Sequence, residues 1–382
     1  MILIGKSLIS RNCIEIGITN STIASITPGD NEFMENVILP GFFDIQVNGC
    51  SGVDYSSDLL EVHDILSVVK NLAKRGTTRH LPTIITSSRD RISKNLECIS
   101  EALDRTLWLK EAIPGIHLEG PYISSEMGPR GAHNPEYIRD PDFEEFSAWQ
   151  EAAKGSIRMI TLAPERKGAL EFIEKCSNQG VLIALGHTAA EPGLIREAVA
   201  AGARISTHLG NGSHSELPRL DNYLWEQLAA DEMYSSLICD GFHIPPSFIK
   251  TVFRAKIKEK IVLISDITAL AGQPPGFYNW GSMQVEVEDT GRIGLVGTPF
   301  LAGAGHDLYH GIHYLHTVLG YDLCAIIDMC TVHPAELLNL PRISPEPGVG
   351  EFANLSLGRW DKSNNLLEFK TVVLGNTVLF QQ

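Results

Sequence analysis

Cysteine is sparse and badly arranged for any covalent or thiolate framework. The seven cysteines are odd in number and no C-x-x-C pair occurs, which argues against disulfide scaffolds and thiolate zinc clusters and fits a reducing compartment. No stretch approaches the ~20 apolar residues of a membrane span. Met1–Ser10 carries one lysine and no apolar run ending at a small-residue cleavage site, so the expectation is a cytoplasmic protein with no membrane partner. Basic residues are in deficit, 31 Lys and Arg against 46 Asp and Glu, for a net charge of −15. That balance repels phosphate backbones and anionic lipid, arguing against a general nucleic-acid binder, while leaving room for one anionic small molecule in a locally basic pocket. Nucleotide cofactors lack support: no Walker loop occurs, and Gly303-Ala304-Gly305 runs into His306 without a third glycine. Low-complexity tracts are also missing, and 43% hydrophobic with 20% charged residues is the composition of an ordered globular chain.

What is present divides into β-rich ends and an alternating middle. Short alternating runs, MILIGKSLIS, CIEIGIT and STIASIT, fill the beginning, and FANLSLGRW, LLEFK and TVVLGNTVLF fill the end. The expectation is one small β-sandwich built from residues 1–40 and 345–382. Between them, residues 41–344 alternate apolar runs with stretches of helical spacing such as 61–74, 89–105, 167–179 and 191–201. Eight candidate strands follow: FFDIQV before Asn48, TTRHLP before Thr83, AIPGIHL before Glu119, IRMITL before Ala163, VLIALG before His187, ARIST before His208, YSSLIC before Asp240 and KIVLIS before Asp266. Eight βα units imply a (β/α)₈ barrel, whose chemistry sits at the C-terminal strand ends. Five of those ends are Glu, His or Asp.

A catalytic divalent ion takes about three His and carboxylate ligands and keeps a position open for water. Glu119, His187 and His208, on strands three, five and six, supply such a set. Asp266, ending strand eight, is positioned to take a proton from water.

These residues sit in segments that carry a resemblance: PGFFDIQVNGCSGVD (40–54), GIHLEGPYISSEMGPRGAHNP (115–135), TLAPE (161–165), GHT (186–188), THLGNG (207–212), DGFH (240–243) and SDITALAG (265–272). The chain resembles the N-acetylglucosamine-6-phosphate deacetylase family of the amidohydrolase superfamily, from about residue 40 through the HPAELLNL helix to the closing β-segment. The resemblance implies a (β/α)₈ barrel with a small β-sandwich and hydrolytic deacetylation of an amino sugar. It implies one divalent ion on Glu119, His187 and His208, zinc first, with iron(II) or another divalent ion as alternatives. Asp266 matches the general base and His133 a histidine beside the substrate carbonyl, here taken as a protonated oxyanion stabiliser. His243, Asn211 and Gly212 match substrate contacts. Arg219 lies where the family sends an arginine to the phosphate of a neighbouring subunit's substrate, which implies a homodimer.

The pattern also departs from the superfamily. The usual His-x-His of the first strand reads Gln46-Val47-Asn48, and strand four offers Thr161-Leu162-Ala163 with no lysine to carry a carbamate bridge. One metal is therefore expected, with Gln46 and Asn48 as supporting polar groups. The residues around Arg219 differ from the family's phosphate element, leaving open an unphosphorylated N-acetylhexosamine, another N-acyl or cyclic amide, or a barrel that only binds sugar phosphate. His306, His310, His313 and His316 read as a packed or solvated helix start, Glu165 and Asp240 as structural hydrogen-bonding groups, and the acidic run Glu286–Asp289 as an exposed hairpin.

Overall fold

The computed structural model describes residues 1–280, 283–341, 344, 346–361 and 365–382. The eight expected runs form eight parallel strands: β1 Phe42–Val47, β2 Thr77–Ile85, β3 Ile116–Glu119, β4 Ile157–Leu162, β5 Leu182–Leu185, β6 Ala203–Ser206, β7 Tyr234–Ile238 and β8 Ile261–Ile264. Each hydrogen-bonds to its sequence neighbour in order. The circle closes just past β8, where Asp266 N–H donates to Gln46 O at 3.0 Å and Asn48 N–H to Ile267 O at 2.9 Å. Helices at Val62–Ala73, Arg89–Arg105, Ala169–Asn178 and Pro192–Ala201 follow the helical spacing of the sequence. Inside the barrel Phe43, Ile45, Leu81, Met159, Ile205 and Val262 pack into one apolar plug, while outward-facing residues such as Val47, Leu118 and Leu237 join the larger core under the helices. The plug removes water from the floor beneath the strand ends.

Two strand details bear on the mouth of the barrel. β2 runs past Pro82 to Ile85 instead of stopping before Thr83, because the proline sits beside a register irregularity of β1 between Asp44 and Val47, a place where a missing N–H is tolerated. The Val47 N–H is met by the Thr83 hydroxyl at 3.0 Å. The same irregularity breaks the inside–outside alternation of β1. Phe43 and Ile45 point into the plug and Val47 points out, yet Gln46 and Asn48 both reach the barrel mouth, the re-aiming that a bulge produces.

Both ends of the chain enter one seven-stranded sheet. Ile2–Ser7, Cys13–Thr19 and Thr22–Pro28 form a meander, and Asn354–Asp361, Leu366–Leu374 and Thr377–Gln381 form a second. Asn36–Pro40, a strand missing from the sequence reading, joins them by pairing with both Ile2–Ser7 and Asn354–Asp361. LLEFK and the following TVVL are one strand, with the turn only at Gly375-Asn376. Leu3, Ile16, Ile23, Ile38, Leu355 and Val373 make its separate small core. The expected boundary at 344/345 abuts Pro345, which lies outside the described residues.

Asp44 on β1 is enclosed, accepting from the backbone N–H of Gln46 and Ser265 and from the Ser265 hydroxyl. Burial outweighs those donors and pushes its carboxyl up to about 7. Between the unfolded value of about 4 and this raised value the folded chain holds a proton that the unfolded chain has lost, so stability falls as pH rises through that window. Asp44→Asn removes the dependence. Melting curves at several pH values should show the variant gaining on the parent from about pH 4 to about pH 7; a constant gap would contradict it.

Candidate active site

Four side chains from four strand ends meet above the plug. Glu119 is the last residue of β3, and His187, His208 and Asp266 each lie two residues beyond β5, β6 and β8. The last three have positive φ angles of 51°, 30° and 54°. Non-glycine residues held in that region at three strand ends mark backbone bent to aim side chains inward. Glu119 Oε1 lies 3.1 Å from His187 Nε2 and 3.0 Å from His208 Nε2, and the two nitrogens are 3.1 Å apart. Bonds of ~2.0–2.1 Å to a tetrahedral ion put ligand atoms about 3.3 Å apart, so the triangle fits a divalent cation to within a few tenths of an ångström. His187 Nδ1–H donates to Pro129 O at 2.8 Å, so Nε2 is the ring nitrogen that faces the triangle. Gly131 and Gly212 flank this ring: a Cβ at Gly212 would sit 2.7 Å from His187 Nδ1. Glycine at 212 thus leaves room for the imidazole.

His133 adjoins the triangle, its Nε2 3.3 Å from His187 Nε2, and Glu119, His133 and His187 also form a compact ligand group within 4.8 Å. The tighter spacing favours His208 as the third member. Burial, reinforced by the charge of His187, lowers the His133 ring to about 3. This revises the sequence expectation of a protonated ring. With the Thr86 hydroxyl 2.8 Å from Nδ1, a neutral ring can accept there and carry its proton on Nε2, facing the cavity.

Gln46 Nε2 donates to both Glu119 Oε1 at 2.9 Å and Asp266 Oδ1 at 3.1 Å, and Asn48 Nδ2 donates to Asp266 Oδ1 at 2.7 Å. The two amides bridge the neighbouring carboxylates and fasten one Asp266 oxygen, Oδ1. Burial first, then the Glu119 charge, raise the Asp266 carboxyl to about 6. In Glu119 burial opposes ionisation, but hydrogen bonds from His187 and His208 outweigh it and hold the carboxyl well below its usual range. Beneath lies a dry polar layer in which Thr161 Oγ1 meets His117 Nε2 at 2.8 Å and Thr207 Oγ1 at 2.7 Å.

The cluster opens into a cavity of 310 Å³. His133, His243, Asn211 and Gly212 line it with the four strand-end residues. Asp240, read from the sequence as structural, accepts from His243 Nδ1 at 2.7 Å and caps the backbone N–H of Phe242 and His243. Asp240→Ala should free His243 and raise KM roughly tenfold with a smaller change in kcat, the loss expected of one charge-assisted hydrogen bond; an unchanged KM would make this contact unimportant. Arg219 is exposed and does not line the cavity. Glu165 is structural, accepting from Thr188 Oγ1 at 2.6 Å and Ala189 N–H at 2.7 Å. His306 and His310 are stacked at 3.8 Å and bonded to backbone carbonyls, so they pack as expected.

Trp280 and Arg292 escaped the sequence reading. Trp280 ends the first strand, and Arg292 lies in the turn before the third strand, of a three-stranded antiparallel sheet, Gly276–Trp280, Met283–Val287 and Ile293–Leu295, whose second turn carries the acidic run. It packs on Ala132 and Leu270 at the barrel mouth, and Trp280 Nε1 donates to Asp54 Oδ2 at 3.2 Å. No local signal announces that this hairpin folds back over the site.

An eight-stranded barrel with carboxylate and imidazole ends converging on one point defines a metal-dependent hydrolase of the amidohydrolase type. The amidohydrolase family model matches residues 37–272. The N-acetylglucosamine-6-phosphate deacetylase of Bacillus subtilis (strain 168) is 32% identical over 84% of this chain and 80% of its own length. The N-acetylgalactosamine-6-phosphate deacetylase of Shewanella sp. (strain ANA-3) is 29% identical over 80% of this chain and 75% of its own. The solved N-acetyl-D-glucosamine-6-phosphate deacetylase of Mycobacterium smegmatis superposes with a TM-score of 0.86 at 25% identity, covering 100% of both chains. The chain belongs to the amidohydrolase family, among its N-acetylglucosamine-6-phosphate deacetylases.

Proposed function

We propose that the chain hydrolyses the acetamide of an N-acetylated hexosamine 6-phosphate, N-acetylglucosamine 6-phosphate first, releasing the amino sugar phosphate and acetate. The observation that carries this reading is the Glu119-His187-His208 triangle beside a carboxylate tied by two amides. Glu119, His187 and His208 would hold one divalent ion, zinc first and iron(II) second, which supplies a Lewis acid that polarises the acetyl carbonyl and acidifies water. Asp266 takes the proton of the attacking water and returns it to the departing nitrogen, without which an amine is a poor leaving group. His133, neutral and donating from Nε2, meets the oxygen on which negative charge develops. His243, fixed by Asp240, and Asn211 with Gly212 bind the sugar. Gln46 and Asn48 stand where a second metal would need imidazoles, which supports a single ion.

Residues 1–40 and 345–382 are proposed as one module and 41–344 as the catalytic unit. The seven free cysteines support a cytoplasmic setting, and no helix among the described residues is long and apolar enough to cross a membrane. The exposed Arg219 and Leu220 support a second copy of the chain docking on the 213–222 loop. Steady-state hydrolysis of N-acetylglucosamine 6-phosphate, its galacto epimer, the unphosphorylated sugars and a cyclic amide tests the reading. Preference for a cyclic amide, or no turnover of any acetylhexosamine, would overturn it.

A further inference from the structure

A phosphorylated substrate brings negative charge to a protein whose net charge is −15, so a permanent cation on the cavity wall favours its binding. Among the described residues lining it, Arg292 carries the one permanent positive charge. Its partner in the structure is Glu288, whose Oε1 meets Arg292 Nη1 at 2.5 Å, both side chains about one-third exposed at 31% and 38%. The guanidinium lies close over the strand that follows it, since a Cβ at Gly294 would come within 2.9 Å of Nη1.

The hairpin that bears Arg292 is tied to the substrate-facing loop after β7. His306 Nε2 donates to Thr290 O at 3.0 Å. The His306 ring stacks with Phe242 at 5.7 Å and 9° and with His310 at 3.8 Å and 11°. His310 Nε2 donates to Asp240 O at 3.2 Å, and the Asp240 carboxylate holds His243. Arg292 and His243 thus line one cavity from two segments joined through stacked rings, a spacing fixed before any ligand arrives.

We propose that Arg292 is a substrate-specificity residue that grips the 6-phosphate within the same chain, exchanging its hold on Glu288 for two phosphate oxygens. The inference rests on the deacetylase reading and adds to it the identity of the anion contact. A guanidinium fork suits phosphate bidentately and lysine does not copy the geometry. Glu288 then acts as a competitor that keeps Arg292 ordered when no substrate is present.

The test uses the full metal-loaded chain and N-acetylglucosamine with and without the 6-phosphate. A charge-assisted pair is worth ~1.5–3 kcal/mol, so Arg292→Ala should raise KM for the phosphorylated sugar roughly ten- to a hundredfold with little change in kcat. KM for the unphosphorylated sugar should stay within about twofold, which also shows the variant is folded. Glu288→Gln, which frees the guanidinium, should lower KM for the phosphorylated sugar alone. Calorimetric binding of glucosamine 6-phosphate, independent of turnover, should weaken in Arg292→Ala by the same factor. Equal effects on both sugars, unchanged glucosamine 6-phosphate binding, or a phosphate-selective loss in Arg219→Ala but not in Arg292→Ala would each overturn the inference. A wild-type chain that binds glucosamine 6-phosphate through Arg292 yet hydrolyses neither sugar would overturn the deacetylase reading and leave the anion contact standing.

Discussion

Asp266→Asn should retain its metal and lose roughly 10²- to 10⁴-fold in turnover, the range of a single general acid–base group. The amide keeps the shape of the carboxylate, and an amide oxygen can still accept from Gln46 or Asn48, so the local packing survives. What it lacks is the basicity to accept a proton from water and hand it on to nitrogen. KM should move little, since Asp266 faces the reacting atoms and not the far end of the sugar. Measured as kcat and KM with metal content determined on the same sample, the outcome is unambiguous. A variant that keeps more than half the parental kcat would remove Asp266 from its role.

Replacing His208 or His187 by alanine should strip the metal and the activity together. Each substitution deletes one of three protein ligands, and even outer partners of metal ligands are worth 10- to 100-fold, so losses beyond about a hundredfold are expected. The pair of overlapping triples makes the comparison with His133→Ala decisive. If Glu119, His187 and His208 are the set, His133→Ala binds metal normally and turns over slowly, while His208→Ala emerges metal-poor. The reverse pattern would make His133 a ligand. Removing the ion with a chelator and restoring single divalent ions one at a time should identify which of them supports turnover.

The barrel was legible because its strands are short and apolar and all but the fourth, which leads to Ala163, are followed by a polar residue, a pattern that survives without any tertiary information. Glu119, His187, His208 and Asp266 were found by that rule, since strand ends in a closed barrel must converge. Non-local effects were harder to read. Pro82 looks like a stop, and only its position opposite the irregular stretch of β1 explains why β2 continues to Ile85. Asn36–Pro40 has no partner next to it in sequence, since its partners are supplied by opposite ends of the chain. Gln46 could be identified as a departure from a metal-binding pair, but its bridge between Glu119 and Asp266 depends on the bulge that turns it inward. Arg292 belongs to a hairpin whose resting place over the barrel mouth is a matter of packing on Ala132 and Leu270. Charge alone gave no reason to prefer it to Arg219.

Asn36–Pro40 leads through Gly41 directly into β1 while pairing with Asn354–Asp361. During synthesis, then, the segment that leads into the strand carrying Gln46 and Asn48 finds Ile2–Ser7 at once but waits for nearly the whole chain before its second edge has a partner. Until that late pairing forms, Asn36–Pro40 is held along one edge only, and the entry into β1 is buttressed from one side. A chain cut short within its last β-strands retains every group near the cavity, yet enters its first barrel strand from a segment with one open edge. The earliest-made barrel strand is in this sense braced by one of the latest-made strands.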